Sequence, residues 1–454
     1  MERRHFLKTA GLGMAALGIG EPAAAETKSQ RGPNVLLYVV DDLGTDDAGC
    51  YGNPVIKTPG LDALAEKGTR FTRSFCTTAR CSASRSVLLT GMYNHANGQY
   101  GHQHGYNHFV SFPGVRSLPV MLAESGYRTM CAGKYHVAPE PVYHFEQYLK
   151  NAPPAKMAEQ CRDFITNDAE QPFFLYFCTT EPHRPFHREG SEHVSSEDVI
   201  VPPYLPDIPE CREELAKYYM SAQRGDSGLR RLIEMLKETG RWDNTLVLFV
   251  SDNGIAFPGA KTTLYEPGMR LPCVVKRPGQ AGGSVTDAMI TWADIAPTIL
   301  DFAGAVPAEP EYHGRSFRNA MAEEEPDGWD EIYASHTFHE ITMYYPMRVV
   351  RGGRFKLIWN IAHGLDYPFA SDLWAAETWQ AVMKRGMTHY GKRRVDAYLH
   401  RPRFELYDLE KDPDEVVNLA GEPGHAAVLE ELQAKLKAFQ KRTGDPWILK
   451  WDYE

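Results

Sequence analysis

Four short apolar runs, each stopping at a polar cluster, dominate the hydrophobic pattern of the chain. Asn34-Val35-Leu36-Leu37-Tyr38-Val39-Val40 ends at Asp41-Asp42, and Tyr127 to Ala132 ends at Gly133-Lys134-Tyr135-His136. Phe173 to Cys178 ends at Glu181-Pro182-His183, and Thr245 to Val250 ends at Ser251-Asp252-Asn253-Gly254. Runs of this length, rich in β-branched and aromatic residues, predict strands. Their near-continuous apolarity implies burial on both faces, hence a large, mostly parallel sheet sandwiched by helices. Such sheets place their sites beyond the carboxyl ends of the strands, where the four polar clusters fall.

Helical patterns lie between the strands: Leu61 to Lys67 stops at Gly68, and Glu213 to about Lys237 carries Leu215, Leu229, Leu232, Ile233 and Leu236. After about residue 325 the pattern changes to spaced strands near Tyr333, Met347 to Val350 and Phe355 to Trp359. An amphipathic helix with Val428, Leu429, Leu432, Leu436 and Phe439 on one face follows. The alternation predicts an α/β catalytic domain over 27–325 and a smaller α+β domain over 326–454, with an antiparallel sheet and the terminal helix. The junction at Glu323 to Gly328 is acidic and contains Pro326. No internal repeat is evident.

Composition narrows the function. With 454 residues, 43% hydrophobic, the chain has ample material for a packed core. Its 49 Lys+Arg against 59 Asp+Glu give a net charge of -10, so it lacks the basic face that nucleic acid requires. An acidic substrate would need a local cluster of cations. The 8 cysteines include no C-x-x-C pair, which indicates neither a zinc ribbon nor a disulfide scaffold. Residues 1–26 read as a targeting segment. Arg3-Arg4-His5-Phe6-Leu7-Lys8 precedes a Gly/Ala-rich stretch from Ala10 to Gly20, and Ala23-Ala24-Ala25 follow. That order matches a twin-arginine export signal, which predicts an exported, periplasmic protein without a membrane span.

Three sets of residues carry candidate chemistry. Cys81-Ser82-Ala83-Ser84-Arg85, then Ser86 to Thr90 and Gly91, describe a short helix with Cys81 at its start. Free N–H groups and the helix dipole favour anionic chemistry there, and Arg85 one turn on adds a cation. The second set, Asp41, Asp42, Asp252 and Asn253, is oxygen-rich. Converging carboxylates repel unless a cation sits between them, and hard oxygen donors suit Ca²⁺ or Mg²⁺ rather than zinc. The third set is cationic: Lys134, His136, His183 and Lys261, which with Arg85 would hold an anion.

In order and spacing these residues resemble the sulfatase family of the alkaline phosphatase superfamily. The resemblance runs through Asp41-Asp42, Cys81-x-Ala83-x-Arg85, Gly133-Lys134-x-His136, Pro182-His183, Ser251-Asp252-Asn253-Gly254, Glu405-Leu406-Tyr407-Asp408-Leu409 and Asp412-Pro413. Further cues are similar to the N-sulfoglucosamine sulfohydrolase (heparan sulfamidase) branch: Val115 to Pro119, Leu264-Tyr265-x-Pro267-Gly268, His339-Glu340 through Met347-Arg348, and Asp445-Pro446-Trp447. The resemblance implies an alkaline-phosphatase-like fold and conversion of Cys81 to formylglycine by a formylglycine-generating or sulfatase-maturing enzyme. It also implies Ca²⁺ held at Asp41, Asp42, Asp252 and Asn253 beside residue 81. Arg85, Lys134, His136, His183 and Lys261 would then position the aldehyde hydrate and the sulfate group. Ala83 departs from the family pattern, which usually has Pro there, and this leaves the identity of the modifying enzyme open.

The expected activity is removal of N-sulfate from glucosamine at the non-reducing end of heparan-type glycosaminoglycan saccharides. His183 would act as the acid, and His339, Glu340, Arg348 and His108 would contribute to the sugar pocket. The alternatives are an O-sulfatase on another glycan or an aryl sulfate, a phosphonate or phosphate monoester hydrolase, and a non-catalytic sulfated-glycan binder. The oligomeric state is open between monomer and homodimer. Two motifs are set aside. Gly225-Asp226-Ser227-Gly228 resembles a serine-protease nucleophile motif but falls inside a predicted helix. His95, His102, His104 and His108 lie in a Gly-rich loop without a zinc-ligand framework, and read as a pocket rim or solvated loop.

Overall fold

Each of the four apolar runs forms a strand of one eight-stranded sheet in the computed structural model, which describes residues 32–167 and 170–453. The twin-arginine reading of residues 1–26 lies outside the described residues. The strands are β1 (Asn34–Val40), β2 (Thr69–Phe71), β3 (Arg128–Gly133), β4 (Gln147–Leu149), β5 (Phe173–Cys178), β6 (Thr245–Ser251), β7 (Cys273–Lys276) and β8 (Ser284–Thr286). Their order is β4-β3-β5-β1-β6-β7-β2-β8. All pairings are parallel except those of β7 with β6 and with β2. Every residue of β1, β5 and β6 is buried, as continuous apolarity predicted.

Register decides where the site forms. Gly133 pairs with Cys178, Cys178 with Val39 and Val39 with Val250, so the carboxyl ends of four adjacent strands lie within one residue of a common row. The polar clusters that follow are therefore side by side. Behind that row Tyr38 stacks on Phe177 and Phe249, with ring centroids 5.0 and 5.8 Å apart.

The long helix spans Pro209–Glu238 and so starts four residues earlier than its apolar pattern indicated, with Pro in its first turn. Gly225-Asp226-Ser227-Gly228 lies inside it and is architecture. Gly225 O accepts from Tyr38 Oη at 2.6 Å. The Asp226 carboxylate accepts the backbone N–H groups of Gly60 and Leu61, at 2.8 Å each, and so caps the helix Pro59–Ala65.

The antiparallel sheet after residue 325 has four strands, Ile332–His336, Met347–Arg351, Phe355–Asn360 and Phe404–Asp408. The terminal helix Ala426–Arg442 packs on it through Leu432, Leu436 and Phe439. One continuous hydrophobic core runs through both sheets. Among the described residues no helix is long and apolar enough to cross a membrane.

Arg348, expected at the sugar pocket, is a core residue and does not reach that pocket. Its guanidinium is fully buried, donates to Asp445 at 2.5 and 2.8 Å, and lies 4.9 Å from the Trp447 ring. Asp445 also accepts from Gln440 Nε2 and from Trp447 N, so two sequence cues form one structural clamp between the small sheet and the chain end. Burial opposes ionisation of Asp445, but Arg348 holds its carboxyl far below the usual range. A depressed carboxylate contributes stability that is present above its unfolded value of about 3.9 and is lost as pH falls below it. Asp445→Ala is expected to cost about 3–5 kcal/mol by leaving Arg348 buried and unpaired. Urea unfolding at pH 7 checks this, and turnover per folded molecule should be retained.

Candidate active site

The nucleophile candidate sits where a buried helix meets the row of strand ends. Cys81–Thr90 is helical, all ten residues are buried, and the left-handed Gly91 closes the helix at φ 68°. Cys81 Sγ lies 3.4 Å from Asp41 Oδ1 and 3.9 Å from Asp42 Oδ1. The helix start does not make this sulfur a thiolate. Burial and then the Asp41 charge push the thiol well above its ordinary value, outweighing the dipole that the sequence pattern suggested.

Each strand end delivers its residues by a local device. Gly133 has φ 86°, and a Cβ there would approach Cys178 O to 2.1 Å, so only glycine lets the chain turn out of β3 against β5. Lys134 then bonds to Asp41 Oδ2. Asp42, His136 and Thr262 all have positive φ (70°, 53° and 69°), a conformation that costs energy and clusters at functional sites. Thr262 follows Lys261, whose Nζ lies 2.9 Å from Asp42 Oδ2 and 3.1 Å from Asp372 Oδ2. Arg85 is fully buried and meets Asp252 Oδ2 through Nε at 2.9 Å and Nη2 at 2.8 Å.

The acidic cluster has the features of a cation site. One ligand atom from each of Asp41, Asp42, Asp252 and Cys81 falls within 4.8 Å of the others, and all four residues are buried. Asn253 Oδ1 is buried beside them without a hydrogen-bond partner. Burial and then the Asp41 charge push the Asp252 carboxyl up to about 7. Burial also opposes ionisation of Asp41, but Lys134, His183, Arg85 and Lys261 hold it well below the usual range. The fixed cations Arg85, Lys134 and Lys261 face four carboxylates, Asp41, Asp42, Asp252 and Asp372. Fully ionised, the site carries surplus negative charge, and a divalent cation would reverse that sign. The all-oxygen character of the donors other than Cys81 fits Ca²⁺.

Above the cluster opens a cavity of about 550 Å³ whose walls include Lys134, His136, His183, Lys261, His339 and Glu340. His183 Nδ1 faces Arg184 O, and its Nε2 lies 3.9 Å from Asp42 Oδ2 and 3.9 Å from Asp372 Oδ2. Burial, then Lys261, lowers its pKa. One Glu340 oxygen is committed to the backbone N–H and hydroxyl of Ser371, at 3.0 and 2.8 Å. His108 is exposed and is not among the cavity walls. His95 is buried between Ser335 Oγ and Thr443 Oγ1, away from the cavity.

Sequence reasoning missed Asp372. The residue lies more than a hundred positions from Lys261, in the unremarkable Ser371-Asp372-Leu373-Trp374, and only the tertiary fold brings it to the Lys261 ammonium. His102 and His104, read as rim or loop, are cavity walls.

The chain belongs to the sulfatase family, which it matches over residues 33–305, and it is a hydrolase of that family. Residues 259–368 match the C-terminal region of N-sulphoglucosamine sulphohydrolase. Human N-sulphoglucosamine sulphohydrolase is 36% identical over 91% of this chain and 91% of its own length. Among solved structures, a protein in complex with its substrate D-glucosamine-2-N,6-O-disulfate superposes with a TM-score of 0.66 at 21% identity, covering 92% of this chain and 99% of that one. The phosphonate monoester hydrolase of Agrobacterium radiobacter gives 0.66 at 22% identity, covering 90% and 96%. These two likenesses establish the alkaline-phosphatase-like fold.

Proposed function

We propose that the protein is an exported, calcium-dependent sulfatase that hydrolyses the N-sulfate of glucosamine at the non-reducing end of heparan-type saccharides. The observation that carries the reading is Cys81 held in a carboxylate cluster that pairs with Lys134 and Lys261, two cations of the cavity wall. The 36% identity to the human enzyme along nearly its whole length supports the N-sulfate as the bond cleaved. The twin-arginine segment supports export.

Asp41, Asp42, Asp252 and Asn253 would hold Ca²⁺, which would compensate charge on the carboxylates and sulfate oxygens. An aldehyde hydrate formed from Cys81 would supply one hydroxyl to attack sulfur as the S–N bond breaks and a second whose deprotonation breaks the C–O bond to sulfate and restores the aldehyde. The chain's own groups do the rest. Arg85, locked by Asp252, fixes the carboxylate geometry beside residue 81. Lys134 and Lys261 present ammonium groups to the cavity and offset charge on the sulfate oxygens. His136 orients the oxygen at residue 81. His183 Nε2 faces the cavity and delivers a proton to the departing nitrogen, with Asp42 and Asp372 stabilising the imidazolium.

Sulfate release from N-sulfoglucosamine, compared with its 6-O-sulfated isomer and an aryl phosphonate, tests the reading. Preference for either of the latter would overturn the N-sulfate assignment and favour one of the ester readings. His183→Ala is expected to slow N-sulfate cleavage by roughly 10²–10⁴-fold. An activated aryl sulfate, whose leaving group needs little protonation, should lose much less. Equal losses on both would make His183 a sulfate-binding group rather than the acid.

A further inference from the structure

His102 and His104, from the Gly-rich loop, meet His136, from the end of β3, at the mouth of the cavity. One ring nitrogen from each lies within 4.8 Å of the other two. The ring centroids form a near-equilateral triangle of 4.8, 5.0 and 4.8 Å. His104 Nδ1 and His136 Nε2 are 2.8 Å apart. His136 Nδ1, on the far side of that ring, is buried without a partner. A fourth imidazole, His339, approaches His102 with its Nε2 at 3.1 Å and also has a buried, unpartnered Nδ1. His102 Nδ1 meets Ser82 Oγ at 3.3 Å, so the nitrogens in this group that are buried without a protein partner are His136 Nδ1 and His339 Nδ1.

We propose that His102, His104 and His136 form a second metal site, selective for Zn²⁺ and similar borderline cations, whose occupation inhibits the enzyme. The donor chemistry separates this site from the acidic cluster below it: neutral imidazole suits Zn²⁺, whereas Ca²⁺ takes oxygen. Tetrahedral Zn–N bonds of about 2.0–2.1 Å put ligand nitrogens about 3.4 Å apart, within reach of small ring rotations here. The three rings leave the fourth position open toward the cavity, where water or a substrate anion completes the shell. Lys134 and Lys261 on the cavity walls oppose a further cation, and the Glu340 carboxylate on the same wall offsets them. Inhibition follows because the metal would pin the His136 ring and set its open coordination position in the cavity that the substrate anion must enter. The metal-binding arm of the proposal stands independently of the N-sulfate reading, since binding is measured without turnover.

The test is calorimetric titration of the full chain with Zn²⁺ in saturating Ca²⁺. One equivalent is expected to bind, retained in His108→Ala, on the same loop but off the cavity, and weakened at least about tenfold in His104→Ala. His104 is exposed, so its removal leaves the fold intact, which circular dichroism checks. In a hydrolysis assay with any accepted sulfate substrate, Zn²⁺ should inhibit wild type competitively, and His104→Ala should require at least about tenfold more Zn²⁺ for the same inhibition. No Zn²⁺ uptake by wild type in excess Ca²⁺, or uptake unchanged by both His104→Ala and His102→Ala, would overturn the site. Uptake as expected with hydrolysis indifferent to Zn²⁺ would overturn the inhibitory role.

Discussion

Cys81→Ala is expected to give a folded protein that keeps its calcium and its substrate affinity but releases no sulfate. Alanine is the best helix former and removes a single buried atom at the first position of Cys81–Thr90, so the fold should tolerate it. The catalytic loss should be about 10⁴-fold or more, as for loss of a nucleophile elsewhere. The reason lies beyond the missing sulfur. The native thiol is buried, stays protonated and faces Asp41, and a thiosulfate-type adduct on it would have no internal route to release. The proposed mechanism therefore requires that the side chain be oxidised to the aldehyde. Peptide mass spectrometry of active preparations should find that aldehyde at residue 81, and specific activity should rise in proportion to its fraction. Full activity from protein whose residue 81 is entirely thiol would refute the mechanism while leaving the fold untouched.

Asp252→Asn is expected to abolish both stoichiometric Ca²⁺ binding and turnover. Asp252 sits at the junction of two demands: it accepts a hydrogen bond from Arg85 Nε and pairs with its Nη2, and it lies within 4.8 Å of the other candidate ligands, Asp41, Asp42 and Cys81. Asparagine preserves an acceptor for Arg85, so the buried guanidinium keeps a partner and the protein folds. The lost charge leaves a divalent cation under-coordinated. Asp252→Ala should add a stability penalty of about 3–5 kcal/mol through the unpaired Arg85, a difference that denaturant titration of the two variants can read. Elemental analysis after gel filtration measures the metal. A full equivalent of Ca²⁺ with wild-type turnover in Asp252→Asn would remove Asp252 from the ligand set.

Much of this was legible in the chain because it is encoded locally. A strand buried on both faces must be apolar along its length, so β1, β5 and β6 announce themselves, as does the point where each stops. Parallel topology then dictates that Asp41, Gly133-Lys134, His183 and Asp252 emerge on one edge. The helix beginning at Cys81 was visible from its apolar helix formers and its closing Gly91, although no side chain caps its start, where Arg80 is the N-cap residue. What the sequence could not determine was which distant side chains complete these local devices. Asp372 reaches Lys261, and His102 reaches His339, only through the packing of the small sheet's connections over the cavity, and no periodicity records such a contact. Arg348 shows the reverse case. A strand residue's face depends on register, and in this fold the register turns Arg348 inward to Asp445, so a residue that reads as a ligand is a clamp. The sequence alone determined the sheet, the placement of its polar ends and the helix that begins at Cys81, since each follows from residues near one another in the chain. Tertiary structure alone decided the charge balance around Cys81, the fate of Arg348 and the grouping of His102, His104 and His136, because electrostatics and coordination act through space and are blind to sequence distance.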